Sequence, residues 1–182
     1  MIPPLLNFWL RLTLLVALAA MAAPVWAEST EAELKAAFIF SFAKYVDWPA
    51  DALNANPGAL TLCLVGGSND LFDELSEMHG KAIKGRSLQV RTSARSDNLK
   101  SCQMLVMADS EADHYASVLR RLDGVPVLTV NGSSNFLDAG GIIGLFAEGK
   151  KIRFDINLVA ARRNNLVLSS NLLKLARTVR QP

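Results

Sequence analysis

The chain has 182 residues, 51% hydrophobic and 20% charged, with a formal charge of +2. Its 19 basic and 17 acidic groups are scattered, and Arg120-Arg121 and Arg162-Arg163 are the only adjacent arginines. Binding nucleic acid through its phosphates needs a clustered basic surface, so that class is excluded.

The N-terminus reads as a secretory signal peptide. Arg11 supplies one fixed positive charge, Leu12–Ala23 is apolar except for one Thr, Pro24 breaks the run, and Val25-Trp26-Ala27 suits a signal peptidase. The apolar run is too short for a bilayer span, which takes roughly 20 residues. An uncleaved anchor is the alternative. Cleavage after Ala27 leaves Glu28–Pro182 outside the cytoplasm, and Arg11 leaves with the signal. Residues 28–182 then form one domain, able to bury about two-thirds of the surface its unfolded chain exposes. No later apolar stretch reaches membrane length.

Thr30-Glu31-Ala32-Glu33 fits a capping box. Leu34, Phe38, Phe42 and Val46 follow at helical spacing, and Trp48-Pro49 is expected to end that helix. Leu60–Val65 is apolar throughout, as a strand covered on both faces is. Gly66-Gly67-Ser68-Asn69-Asp70 is a loop, followed by a short helix near Leu71–Met78. Ser87–Thr92 alternates, which predicts a strand with one wet face near a sheet edge. Gln103–Met107 is another strand, Tyr115–Leu122 a helix, Pro126–Val130 a strand and Ser133–Leu137 one helical turn. Gly141–Ala147 and Lys150–Asn157, joined by Glu148-Gly149, predict an antiparallel hairpin. A last helix is expected over Ser170–Val179, burying Leu172, Leu175, Ala176 and Val179. The order predicts a single-domain α/β sandwich. Its mixed, mostly parallel central sheet is flanked by helices and followed by a C-terminal hairpin and helix.

Two cysteines remain after export, Cys63 and Cys102. In an oxidising compartment an even count reads as a bridge, here closing a loop of about 40 residues worth roughly 4 kcal/mol. If strands 60–65 and 103–107 are neighbours, the two cysteines approach each other. A buried free thiol or a metal ligand are the alternatives; no His or Cys partner stands at ligand spacing.

No catalytic constellation assembles from the sequence. His79 and His114 lack ligand spacing and read as surface positions beside helices. Gly66-Gly67-Ser68 sits where a strand–helix loop can hold an anion, but without the spacing of a nucleotide-binding motif it reads as a tight turn. Asn131-Gly132-Ser133 matches a glycosylation acceptor and also reads as a turn. Arg153, Asp155 and Asn157 share one face of the second hairpin strand. They are candidates to meet a ligand or partner, although opposite charges on a strand face need no ligand to explain them. No enzymatic activity, metal or cofactor is expected.

Two blocks carry a resemblance: Lys35–Pro49 (KAAFIFSFAKYVDWP), and Lys151–Leu158 (KIRFDINL) continued by Leu172–Ala176 (LLKLA). With Leu62–Gly66 and Gly80-Lys81 to Gly85-Arg86 between them, the mature chain resembles the YfiR family of exported bacterial proteins. The resemblance implies a periplasmic regulator without catalytic activity. It would repress an inner-membrane diguanylate cyclase (YfiN, also called TpbB) through the cyclase's periplasmic domain. An OmpA-like outer-membrane lipoprotein (YfiB) would sequester the repressor, so that cyclic di-GMP and biofilm formation rise. Two partners then compete for one protein, and the free pool sets cyclase output. The resemblance also implies a homodimer, and it matches Cys63 and Cys102 to the family's stabilising bridge. Better-known members carry a second cysteine pair near Leu137–Gly144, which this chain lacks. The runner-up is a periplasmic small-molecule sensor, whose mark would be an apolar pocket with convergent polar groups near Arg153 and Asn157.

Overall fold

A computed structural model describes residues 29–181 apart from residues 55, 68, 134 and 150. The signal peptide expected over residues 1–27, with its cleavage after Ala27, lies outside the described residues. No described helix is long and apolar enough to cross a membrane.

The fold opens with α1 (Glu31–Tyr45). Glu33 N donates to Thr30 Oγ1 at 3.1 Å and Thr30 N donates to Glu33 Oε2 at 2.9 Å, closing the capping box. The buried stripe runs through Ala36, Ile39, Phe42 and Ala43, while Leu34 and Phe38 are half-buried. The helix stops before Trp48-Pro49, because Val46 and Asp47 are already extended as β1 (Val46–Asp47). There follow α2 (Ala50–Asn54), β2 (Ala59–Val65), α3 (Asp70–Ser76), β3 (Ala82–Ile83), β4 (Arg86–Ser93) and β5 (Met104–Met107). A 3-10 turn over Asp109–His114 leads into α4 (Tyr115–Arg121), then come β6 (Leu128–Asn131), β7 (Ile143–Glu148), β8 (Lys151–Asn157), α5 (Leu158–Arg163), β9 (Val167–Leu168), α6 (Ser170–Leu175) and β10 (Thr178–Arg180).

Among the described residues the strands form an eight-stranded sheet, in the order β10-β8-β7-β6-β5-β2-β4-β3, and a two-stranded ribbon, β1-β9. From β4 across to β7 every pairing is parallel; β3 and β8 run antiparallel to their neighbours β4 and β7. This is the mixed, mostly parallel sheet the sequence predicts, and β4 does lie next to the edge.

Strand alternation sorts side chains into two cores. Leu60, Leu62, Leu64, Met104, Val106, Leu128 and Val130 join α1, α3 and α5 on one face. Cys63, Val65, Leu105 and Met107 join α4 and Phe136 on the other. A sheet buried on both faces explains why β2, β5 and β6 read as unbroken apolar runs.

Three expectations need correction. The last helix ends at Leu175 rather than Val179, and residues 178–180 form β10, parallel to β8. Leu175 is therefore 67% exposed rather than buried. The switch has a backbone cause: Arg177 N donates to Phe154 O at 2.9 Å, which pulls the chain onto the open edge of β8. Where one helical turn was expected over Ser133–Leu137, residues 135–137 make turns without a helix assignment, with Phe136 N donating to Ser133 O at 3.2 Å. Finally, Leu158–Val159 continues from β8 into α5, a helix the sequence pattern did not announce. It starts there because Asn157 Oδ1 accepts from Ala160 N at 3.1 Å, capping it.

Candidate functional site

The polar face of β8 is a closed network. Arg177 Nε and Nη2 donate to the Asp155 carboxylate at 3.0 and 2.6 Å, the two-pronged geometry a guanidinium favours. These bonds to Asp155 raise the pKa of Arg177, and the Asp155 and Glu148 charges add to the shift. The same guanidinium stacks 4.3 Å from the centre of the Phe146 ring. Arg153 pairs with Glu148 across the hairpin at 3.5 Å. Asn157 caps α5 and donates to Leu137 O at 3.3 Å. The three sequence candidates thus share one face, as their alternation implies, and each is engaged by this chain.

Cys63 and Cys102 are disulfide-bonded, with Cα atoms 5.9 Å apart. Cys63 lies within β2 and Cys102 two residues before β5, its parallel neighbour. Both are buried in the second core. Next to the bridge, Gln103 locks the strand starts: its side chain accepts from Thr61 N at 2.8 Å and donates to Ala52 O at 2.9 Å. Its main-chain oxygen accepts from Trp48 Nε1 at 3.0 Å.

The two blocks behind the family resemblance meet in the first core. Phe42 of α1 packs edge-on against Phe154 of β8, ring centres 5.0 Å apart, and Phe38 lies 6.1 Å from Phe154. A family model described as YfiR/HmsC-like matches residues 32–177, from the start of α1 to the residue before β10. The chain belongs to the YfiR/HmsC-like family. In this YfiR/HmsC-like chain, residues of those two blocks serve packing and capping: Phe42 against Phe154, Trp48 on Gln103, Asn157 at α5.

The cleft lies elsewhere. In the parallel part of the sheet, the chain leaves β2 for β4 on one side and returns to β5 on the other. Helix α3 packs on one face and α4 on the opposite face. A crevice opens at the carboxyl ends of the strands where the direction of winding reverses. Here it is a cleft of about 700 Å³ with Ile39, Phe72, Val106, Val130 and Leu145 among its apolar lining. Glu31, Lys35, Asn69, Asp70 and Asp109 supply its polar lining. None of Arg153, Asp155 and Asn157 lines it, so this cleft is not the pocket expected near Arg153 and Asn157; it lies on the strand–helix loops.

Local chemistry sets the shape of this cleft. Gly66 has φ +124°, and a Cβ there would stand 2.4 Å from the Ala108 Cβ, so only glycine lets the β2–α3 loop press against the residue after β5. Asn69 Oδ1 accepts from Phe72 N at 3.0 Å and caps α3. Asn131, at the end of β6, is buried; its amide donates to Met107 O at 2.7 Å and to Asp109 Oδ1 at 2.9 Å. That is the physical role of the Asn-Gly-Ser pattern: a turn tied to the neighbouring strand. Tyr115 OH donates to Ala108 O at 3.1 Å, and burial pushes its phenol pKa up, with the Asp109 charge adding to the shift.

Both histidines are exposed. His79 Nδ1 accepts from Val90 N at 3.2 Å, and His114 Nδ1 lies 3.7 Å from Glu111. Among the described residues no three His, Cys, Asp or Glu side chains are placed to hold a metal ion. Sequence reasoning missed Lys35, Asp70 and Asp109. The available signal was polar residues directly after apolar strands, at Gly66–Asp70 and Ala108–Asp109.

Proposed function

We propose that this chain is a periplasmic negative regulator that binds and restrains an inner-membrane diguanylate cyclase of the YfiN/TpbB kind. In this reading it lowers cyclic di-GMP and biofilm formation by contact alone, without turnover. An outer-membrane lipoprotein of the YfiB kind relieves the repression by capturing it. The supporting observation is the family match across residues 32–177, which includes both sequence blocks that carry the resemblance. The bridge at Cys63–Cys102 suits a protein that folds in an oxidising compartment.

The test is direct association. Mature chain from residue 28 onward is titrated against the purified periplasmic domain of a cyclase encoded beside its gene. Saturable binding, competed by the lipoprotein's soluble domain, supports the reading. A lack of association with a folded cyclase domain counts against it.

A second reading has its own support. The cleft at the strand ends has the size and the mixed lining of a small-molecule site, which favours a sensor whose ligand tunes the same protein.

A further inference from the structure

The charges around the cleft select among ligands. Lys35 Nζ is paired with Glu31 Oε1 at 2.6 Å, so these two lining charges cancel. Asp109 accepts a hydrogen bond from the neutral Asn131 amide and makes no ion pair among the described residues, although Lys35 Nζ stands with its Oδ1 beside Gly132. Asp70, in the first turn of α3, has no cationic partner among the described residues, and its side of the cleft is open to solvent. The lining thus carries three carboxylates, Glu31, Asp70 and Asp109, against the single ammonium of Lys35, with apolar surface from Ile39, Val106, Val130 and Leu145. An anion entering beside the Gly66-Gly67 loop meets Asp70 and Asp109, so this winding-reversal crevice has the wrong sign for phosphate.

We infer that the cleft binds a small organic cation, an ammonium carried on an apolar body, with Asp109 and Asp70 receiving the charge and the aliphatic floor the body. This rests on the second reading above, that the cleft is a ligand site, and adds the ligand's chemical class. It does not depend on repression of a cyclase. Charge complementarity and shape both contribute: carboxylate–ammonium hydrogen bonds are about twice as strong as neutral ones. An apolar body adds roughly 25 cal/mol for each Å² it removes from water.

The experiment uses three probes with one body: 3-phenylpropylamine, 3-phenylpropanol and 3-phenylpropanoate. Each is titrated into the mature, oxidised protein by calorimetry, up to about 10 mM, a range that captures binding near the millimolar scale. The amine is expected to bind saturably, tighter than the alcohol and far tighter than the carboxylate, and to weaken with salt. Asp109→Asn and Asp70→Asn are each expected to weaken the amine about tenfold, leaving the alcohol little changed. Two variants on separate elements keep the test alive if one misfolds; melting temperature checks that. Equal or tighter binding of the carboxylate overturns the cationic class while leaving a ligand site standing. No binding by any probe overturns both. Amine binding indifferent to both substitutions overturns the placement in this cleft.

Discussion

Arg91 Nε lies 3.3 Å from Cys63 Sγ, and Arg91 Nη2 lies 3.5 Å from Cys102 Sγ, so one guanidinium rests against both sulfurs of the bridge. Strand register explains it: Arg91 on β4 stands directly opposite Cys63 on the parallel strand β2. Ser101 Oγ, 2.9 Å from Nη2, holds it there. A fixed cation stabilises thiolates more than a disulfide, so it favours the reduced form. Replacing Arg91 with Gln is expected to lower the reduction potential by ~30 mV, equivalent to ~1.4 kcal/mol. Equilibration in dithiothreitol buffers with thiol trapping reads this, and Arg91→Lys should recover part of the shift. An unchanged potential in Arg91→Gln would remove the electrostatic role.

The bridge joins residues 39 apart in sequence and clamps two central strands. Paired Cys63→Ser and Cys102→Ser substitutions should cost about 4 kcal/mol against denaturant under oxidising conditions. The same substitutions should change little in reductant. Equal urea midpoints for wild type and variant when oxidised would contradict a stabilising bridge.

Trp48 Nε1 carries a hydrogen bond from the α1–α2 segment to the Gln103 carbonyl at the strand starts. Trp48→Phe keeps most of the packing and leaves the Gln103 carbonyl without the indole donor. A loss of about 1–2 kcal/mol is expected from urea denaturation, with the slope unchanged. A neutral effect would mean that the bond from Leu128 N, 2.9 Å away, satisfies this carbonyl without the indole.

Asp155 fixes β10 through Arg177. Asp155→Asn keeps the shape but loses the ion pair, so the amides of residues 178–180 should exchange faster than in the parent while those of β2 and β5 do not. Unchanged exchange at residues 178–180 in the variant would show that β10 is held by its backbone bonds to β8 alone.

Tyr115 gives a pH signature. Its phenol pKa is raised in the folded state by burial and by Asp109, so the folded protein holds the neutral form. The associated stability is complete below the unfolded value of about 10 and is lost as pH rises above it, because the unfolded chain ionises first. Alkaline melting curves should therefore fall beyond that point, and Tyr115→Phe should flatten the fall. Identical alkaline profiles would exclude Tyr115 as its source.

The buried parallel strands were legible because two covered faces leave no room for polar residues, as Leu60–Val65 and Met104–Met107 show. The hairpin was legible from the Glu148-Gly149 connection and the alternation after it. The end of the chain was not: Leu172, Leu175 and Val179 fit a helical stripe, and only the open edge of β8, a tertiary feature, turns Thr178–Arg180 into a strand. Arg153, Asp155 and Asn157 were found because alternation puts them on one face, but their partners Arg177, Glu148 and Leu137 come from other elements. The cleft was illegible for the same reason. Lys35, Asp70 and Asp109 are distant in sequence, and only the strand order β4-β2-β5 together with the packing of α1 against α3 brings them to one crevice.

Restraint of a cyclase by contact is tested most directly by cyclic di-GMP itself, measured in cells lacking this gene and in cells where it is restored. The account predicts that the nucleotide rises on deletion and returns on complementation with exported protein, provided the cyclase gene is intact. An unchanged level in the deletion strain, with the cyclase expressed and active, would contradict it.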